Sequence, residues 1–166
     1  MAFNISDHAT TLFSKMFPDS EIATKFACCR TKTTALVRNV TGKASSNELC
    51  DILKNQKFSL IIDESTDKGD KKNLCLIARY FDNKASEARD RFFDLIEVAE
   101  GDHQALYGEI KKSFDEKGIP YRDNLVGFGA DGTNVMHGNK NSVKTMLLKD
   151  CPNLFTLTCI CHSFAL

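Results

Sequence analysis

The chain has 166 residues, enough for one ordinary domain or a domain with a short appendage, since single cores hold roughly 100 to 200 residues. Hydrophobic residues make up 42% and charged residues 27%, which argues against wholesale disorder and against collagen-like or coiled-coil designs. Lysine plus arginine number 22 and aspartate plus glutamate number 22, so net charge gives no global footprint for nucleic acid.

No apolar run approaches the roughly 18 residues of a membrane helix, and MAFNISDHATTLF has no basic segment followed by an apolar stretch. The expectation is an intracellular protein with no membrane partner. Seven cysteines, an odd and scattered number, point to reduced thiols rather than a disulfide framework. Cys75, inside the apolar run Leu74 to Ile77, is expected to be buried as a small hydrophobe.

Residues 1–57 read as an N-terminal helical arm. A cap at Ser6 or Asp7 precedes the apolar set Leu12, Phe13, Met16 and Phe17, and Pro18 breaks the helix. A second helix starts at Asp19 or Ser20, and a third runs from Ser45 or Ser46 through Leu49, Ile52 and Leu53. Thr31 to Thr41, rich in threonine and valine, is open between helix and extended chain. The arm carries 8 basic and 5 acidic groups, whereas residues 58–118 carry 10 and 14. Arg30, Lys32, Arg38 and Lys43 stand in a stretch without an acid; they either track a phosphate backbone or form a solvated helix face.

Residues 58–166 read as an α/β core. Phe58 to Asp63 is a short buried strand, followed by a polar turn from Glu64 to Lys72. Asn73 to Phe81 is a second strand, Asp82 to Arg89 a second turn, and Arg91 to Val98 a third strand. Short polar connections make these an antiparallel meander. Asp102 caps a helix with Leu106, Ile110 and Phe114 on one face, ending at Gly118 with Pro120 beyond. Asn124 to Phe128 is the fourth strand, Asn139 to Leu148 a helix, and Leu154 to Cys161 a final strand. Three meander strands followed by helix-strand-helix-strand give a mixed sheet with helices packed on it.

Two aspartates draw attention because each follows an apolar strand: Asp63 in FSLIIDEST and Asp131 in VGFGADGTN. A carboxylate in that position is costly unless solvated, paired or bound to a cation. If the first strand neighbours the fourth, both lie at adjacent strand ends, where converging carboxylates can hold magnesium or manganese. The plainer alternative is that both simply begin turns. Other patterns fail. Lys68 and Leu74 break a calcium loop at its glycine and glutamate positions. Gly127, Gly129 and Gly132 fit GxGxxG, but the next helix is expected about seven residues late for a pyrophosphate. Cys159, Cys161 and His162 offer soft and imidazole ligands without a second cluster to complete a zinc site.

Taken in order, FSLIIDESTD, LCLIARYF, LVGFGADGTNVMHGNKNSV and CPNLFTLTCICHSFAL resemble the ribonuclease H-like core of hAT-superfamily transposases, especially domesticated, BED zinc-finger-associated relatives. The resemblance covers roughly residues 58–166. It implies that Asp63 and Asp131 match the first two catalytic, metal-binding carboxylates, with Mg2+ or Mn2+ as cofactor, for DNA strand cleavage and transfer. It also implies that Cys159 and His162 match a structural CxxH element. The family's third acid lies beyond a helical insertion that follows this element, so the core is expected to be C-terminally truncated and inactive in this chain. Nuclear residence and DNA as a partner follow from the same resemblance, with no small-molecule substrate. The rival reading is a non-enzymatic module that binds nucleic acid or protein, or self-associates through its final edge strand.

Overall fold

Helix α1 (Asn4–Met16) stops just before Phe17 and Pro18, because proline disfavours the α conformation in the residue before it and has no N–H for the helix ladder. The computed structural model describes residues 3–66, 69, 71–98 and 101–159. The chain divides into two compact units, residues 1–48 and 49–166.

In the first unit Ser20 caps α2 (Glu21–Lys25), its side chain accepting the Ala23 N–H at 3.2 Å, as the sequence leads one to expect. The stretch left open by its threonines is helical. Helix α3 (Arg30–Leu36) passes through a π-helical turn (Val37–Thr41) into α4 (Gly42–Asn55), which starts before the expected Ser45. Thr34 and Thr41 fit because their hydroxyls donate to the carbonyls four residues back, at Arg30 and Val37. No described residue of this unit is buried. Its apolar contacts are local, such as the edge-to-face pair Phe13 and Phe26 at 5.5 Å.

The second unit begins with the last turns of α4, which bury Leu49, Cys50 and Leu53. There follow β1 (Phe58–Thr66), β2 (Lys72–Asp82), β3 (Glu87–Val98), α5 (His103–Glu116), α6 (Tyr121–Asn124), β4 (Leu125–Ala130), α7 (Asn134–His137), α8 (Val143–Asp150) and β5 (Phe155–Thr158). The five strands are ordered β3-β2-β1-β4-β5. The β3-β2-β1 meander is antiparallel, and β4 and β5 add in parallel. This is the mixed sheet expected from the order of elements, with β5 at an edge.

Strand alternation decides which face is core. Phe58, Leu60 and Ile62 of β1 and Leu74, Leu76 and Ala78 of β2 are buried in the cluster that also holds Leu106, Ile110 and Phe114 of α5. The opposite face carries Ser59, Ile61 and Asp63, with Arg79, Ile77 and Cys75 as their partners on β2. It stays open: Phe92 is 62% exposed and Phe155 68%. Cys75 is therefore only half-buried, against expectation, because the two-residue pleat turns it away from Leu74 and Leu76. Among the described residues the buried thiols are Cys50 and Cys151.

Several boundaries move. β1 runs three residues past Asp63, because its ladder with β2 continues to the pair Thr66 and Lys72. The second turn shrinks to residues 83–86, since β3 starts at Glu87 rather than Arg91. Cross-strand ion pairs extend that hairpin, with Arg79 on Asp90 at 2.6 Å and Arg89 on Asp82 at 3.1 Å. The helix expected over residues 139–148 starts later, as α8 over Val143–Asp150 behind a Ser142 and Thr145 capping box, and the separate turn α7 precedes it. The short α6 has no counterpart in the sequence reading, and β4 starts at Leu125 and reaches Ala130.

Candidate functional site

Strands β1 and β4 run side by side in parallel, with Ser59 opposite Gly127 and Ile61 opposite Gly129. Asp63 lies two residues beyond Ile61, and Asp131 two beyond Gly129. The two carboxylates thus stand at one level on neighbouring strands, on the open face of the sheet. Cys159 is the next step across: Leu157 of β5 is opposite Gly129, and the Cys159 N–H donates to the Ala130 carbonyl at 2.7 Å. Asp63, Asp131 and Cys159 line one cleft of about 680 Å³, walled by Ile61, Phe155 and Leu157.

Asp131 is half-buried and held. Its Oδ1 accepts the Thr133 N–H at 3.2 Å and the Thr133 hydroxyl at 2.7 Å, an Asx-type turn that fixes the carboxyl while Oδ2 has no hydrogen-bond partner among the described residues. Asp63 is exposed and forms no hydrogen bond or ion pair with the described residues. The nearest cation lining the cleft, Arg79, is committed elsewhere, with both arms on Asp90 at 2.6 Å. It sits opposite Ser59, four residues along β1 from Asp63.

Two neighbours bear on the chemistry. Burial, and then the charge of Asp63, push the Cys75 thiol up, so it stays protonated at neutral pH. Burial, then Lys144, lower the His137 pKa, while Asp131 opposes the shift. His137 is thus a neutral imidazole at neutral pH. It packs against Phe128 at 5.4 Å, and its Nε2 is buried without a partner among the described residues.

The donor set suits one hard divalent cation, which takes oxygen ligands, because both aspartates offer unengaged carboxylate oxygens. Among the described residues no group of three or more His, Cys, Asp or Glu side chains is placed to hold a metal. A two-ion clamp needs such a group. His162, assigned with Cys159 to a CxxH element, lies outside the described residues.

The four basic residues of the acid-free stretch, Arg30, Lys32, Arg38 and Lys43, separate. All are exposed, but Arg30 and Arg38 line one concavity while Lys32 lines another. Lys32 donates to the Ala27 carbonyl at 3.1 Å. Lys43 lines neither concavity.

Sequence reasoning missed Thr133 and Gly127. The Asp-Gly-Thr turn could have signalled Thr133. Gly127 has no signal in a single sequence: a Cβ there would stand 2.3 Å from Ser59 Oγ and 2.9 Å from Ser59 Cβ.

Residues 20–142 match the DUF4371 family, described as the ZMYM1/FAM200, RNase-like domain. The chain belongs to this family. The DUF4371 match contains both aspartates, and the RNase-like description agrees with the five-stranded mixed sheet, so the fold is ribonuclease H-like. At family level it supports a transposase-derived domain. In this DUF4371 domain, Gly127→Ala is expected to force β1 and β4 apart beside the carboxylates and cost about 2 kcal/mol by overpacking. Thermal denaturation checks it, and adding Ser59→Gly should recover most of the loss; no loss, or no recovery, would show that the seam is not tight.

Proposed function

We propose that this domain derives from a hAT-type transposase of the BED zinc-finger-associated kind, and that Asp63 and Asp131 bind one Mg2+ or Mn2+ ion weakly in the β1–β4 cleft. The supporting observation is the placement of both carboxylates at one level on adjacent parallel strands, facing one cleft, with Asp63 and the Oδ2 of Asp131 free of hydrogen bonds from the described residues. Such an ion, when bound, supplies positive charge beside a DNA phosphate. Thr133 keeps Asp131 oriented toward the cleft, which Ile61, Phe155 and Leu157 wall. Two carboxylates complete only part of a two-ion clamp, so strand cleavage by this chain is not part of the proposal. The retained role is a metal-responsive scaffold in the nucleus with DNA as partner.

The test is a manganese titration of the isotopically labelled full chain, followed by backbone NMR. Paramagnetic broadening is expected first at residues 61–64 and 129–133. Asp63→Asn or Asp131→Asn should each raise the manganese needed at least about tenfold, the lower end of what ligand-sphere losses cost, with Asp123→Asn as a neutral control. Broadening spread over the surface, or unchanged in both variants, would remove the metal reading.

A further inference from the structure

The helical run from Arg30 to Asn55 contains one irregularity, and its sequence cause is Gly42. The Gly42 N–H reaches the Val37 carbonyl to close the π turn, and a Cβ at Gly42 would lie 2.6 Å from that same oxygen. Glycine therefore permits the wide turn, which a side chain would push toward ordinary α geometry. One extra residue in a turn shifts the facing of everything beyond it by about 100°. Arg38 and Asn39 sit inside this turn. Such insertions recur at functional sites.

Arg30, Thr34 and Arg38 follow one another at four-residue spacing, which puts them on one helix face. With Thr31, Asn39 and Asn4 they line a concavity of about 620 Å³, completed by Phe3 and Ala35. The lining holds two guanidiniums, two carboxamides and two hydroxyls, and no carboxylate. Asp7 anchors Arg30: its Oδ1 accepts the Arg30 backbone N–H at 2.8 Å, and its Oδ2 pairs with the guanidinium Nε at 3.5 Å.

We infer that this groove binds the phosphate backbone of a nucleic acid through Arg30 and Arg38. A planar guanidinium meets a phosphate with two parallel hydrogen bonds, and carboxamide N–H groups supplement it. Eight residues at 1.5 Å separate the two arginines by about 12 Å along the helix, a spacing suited to separate phosphates of one strand rather than to one free anion. Lys32 and Lys43, although part of the same basic stretch, take no part. The inference stands apart from the carboxylate cleft, and its failure would leave the metal reading untouched.

The test titrates the full chain with a short labelled DNA duplex and with the matching single strand, in EDTA so that no divalent ion bridges DNA to the aspartates. Arg30→Ala and Arg38→Ala should each weaken binding about tenfold at low salt and lower the salt slope by about one, the yield of one lost phosphate contact. Arg38→Lys should fall between, keeping charge without the fork. Lys32→Ala and Lys43→Ala should change binding less than about twofold, within the range of a single solvated charge. Gly42→Ala, with an unchanged circular dichroism spectrum, should weaken binding as Arg38→Ala does. Equal effects of the lysine and arginine variants would overturn the inference, as would no DNA binding. So would groove signals that move with inorganic phosphate alone and not with DNA.

Discussion

Phe114→Ala is expected to destabilise the second unit by about 4 kcal/mol, within the range for truncating a buried phenylalanine. The ring is 0% exposed and is the common member of three aromatic contacts: Tyr121 at 5.1 Å, Phe93 at 5.4 Å and Phe58 at 5.9 Å. Those partners belong to α6, β3 and β1, so one side chain from α5 ties together the elements that carry the sheet. Stacked and tilted ring pairs each add about 1 kcal/mol beyond area burial, which puts the loss in the upper part of the range. Since whole domains are stable by only about 5 to 15 kcal/mol, Phe114→Ala should leave a measurable unfolded fraction under mild denaturant. Phe114→Leu, closer in volume, should lose only about 1.5 kcal/mol. Urea denaturation of both variants checks this; a Phe114→Ala loss below about 1 kcal/mol would mean that the site collapses around the missing ring.

The helix that carries Phe114 was the most legible element in the sequence. Its Asp102 cap, the four-residue spacing of Leu106, Ile110 and Phe114, and the Gly118 stop are local signals, and each is present: the Asp102 side chain accepts the Ala105 N–H at 2.7 Å, and Gly118 has φ +63°. The meander was legible for a similar reason, since apolar runs broken by polar turns mark both period and reversal. Strand ends were less so. Residues 64–66 are polar and only Glu64 of them is half-buried, and residues 87–90 are exposed, so no apolar alternation marks them as strand, and their partners across the ladder hold them. The Val37–Thr41 π turn depends on a close backbone approach at Gly42, which composition does not reveal. At the cleft, the aspartates stood out because they follow apolar strands. Their juxtaposition depended on β1 pairing with β4, a contact between segments more than sixty residues apart. The Ser59 contact that demands glycine at 127 depends on the same pairing, whereas the Asp-Gly-Thr turn that sets Thr133 behind Asp131 is local.

Asp150→Ala should cost about 3 kcal/mol and should do so in a pH-dependent way. Asp150, at the end of α8, accepts hydrogen bonds at Oδ2 from both the Tyr107 hydroxyl of α5 and the Tyr121 hydroxyl of α6, and Arg122 Nη2 lies 3.4 Å from Oδ1. Its side chain is 17% exposed. Hydrogen bonds to a charged acceptor are worth about 1.5 kcal/mol or more each, and the variant removes the charged acceptor that two phenols share, leaving them only each other, with Tyr121 3% exposed. Burial raises the Asp150 pKa, but the two tyrosine hydrogen bonds and the Arg122 charge outweigh it, and the carboxyl ends below its ordinary value. The same network raises the Tyr121 phenol, by burial first and then by Asp150. A folded-state carboxylate pKa below the unfolded one means that the stabilisation is complete above the ordinary value near about 4. It is lost as pH falls through the lowered folded value. The stability difference between wild type and Asp150→Asn, which keeps the shape but not the charge, should therefore be constant from neutral pH down to about 5 and shrink only below about 4. Urea denaturation across that range measures it. A difference that disappears already above pH 5, or that grows as acid is added, would mean that the two tyrosines do not hold an ionised Asp150.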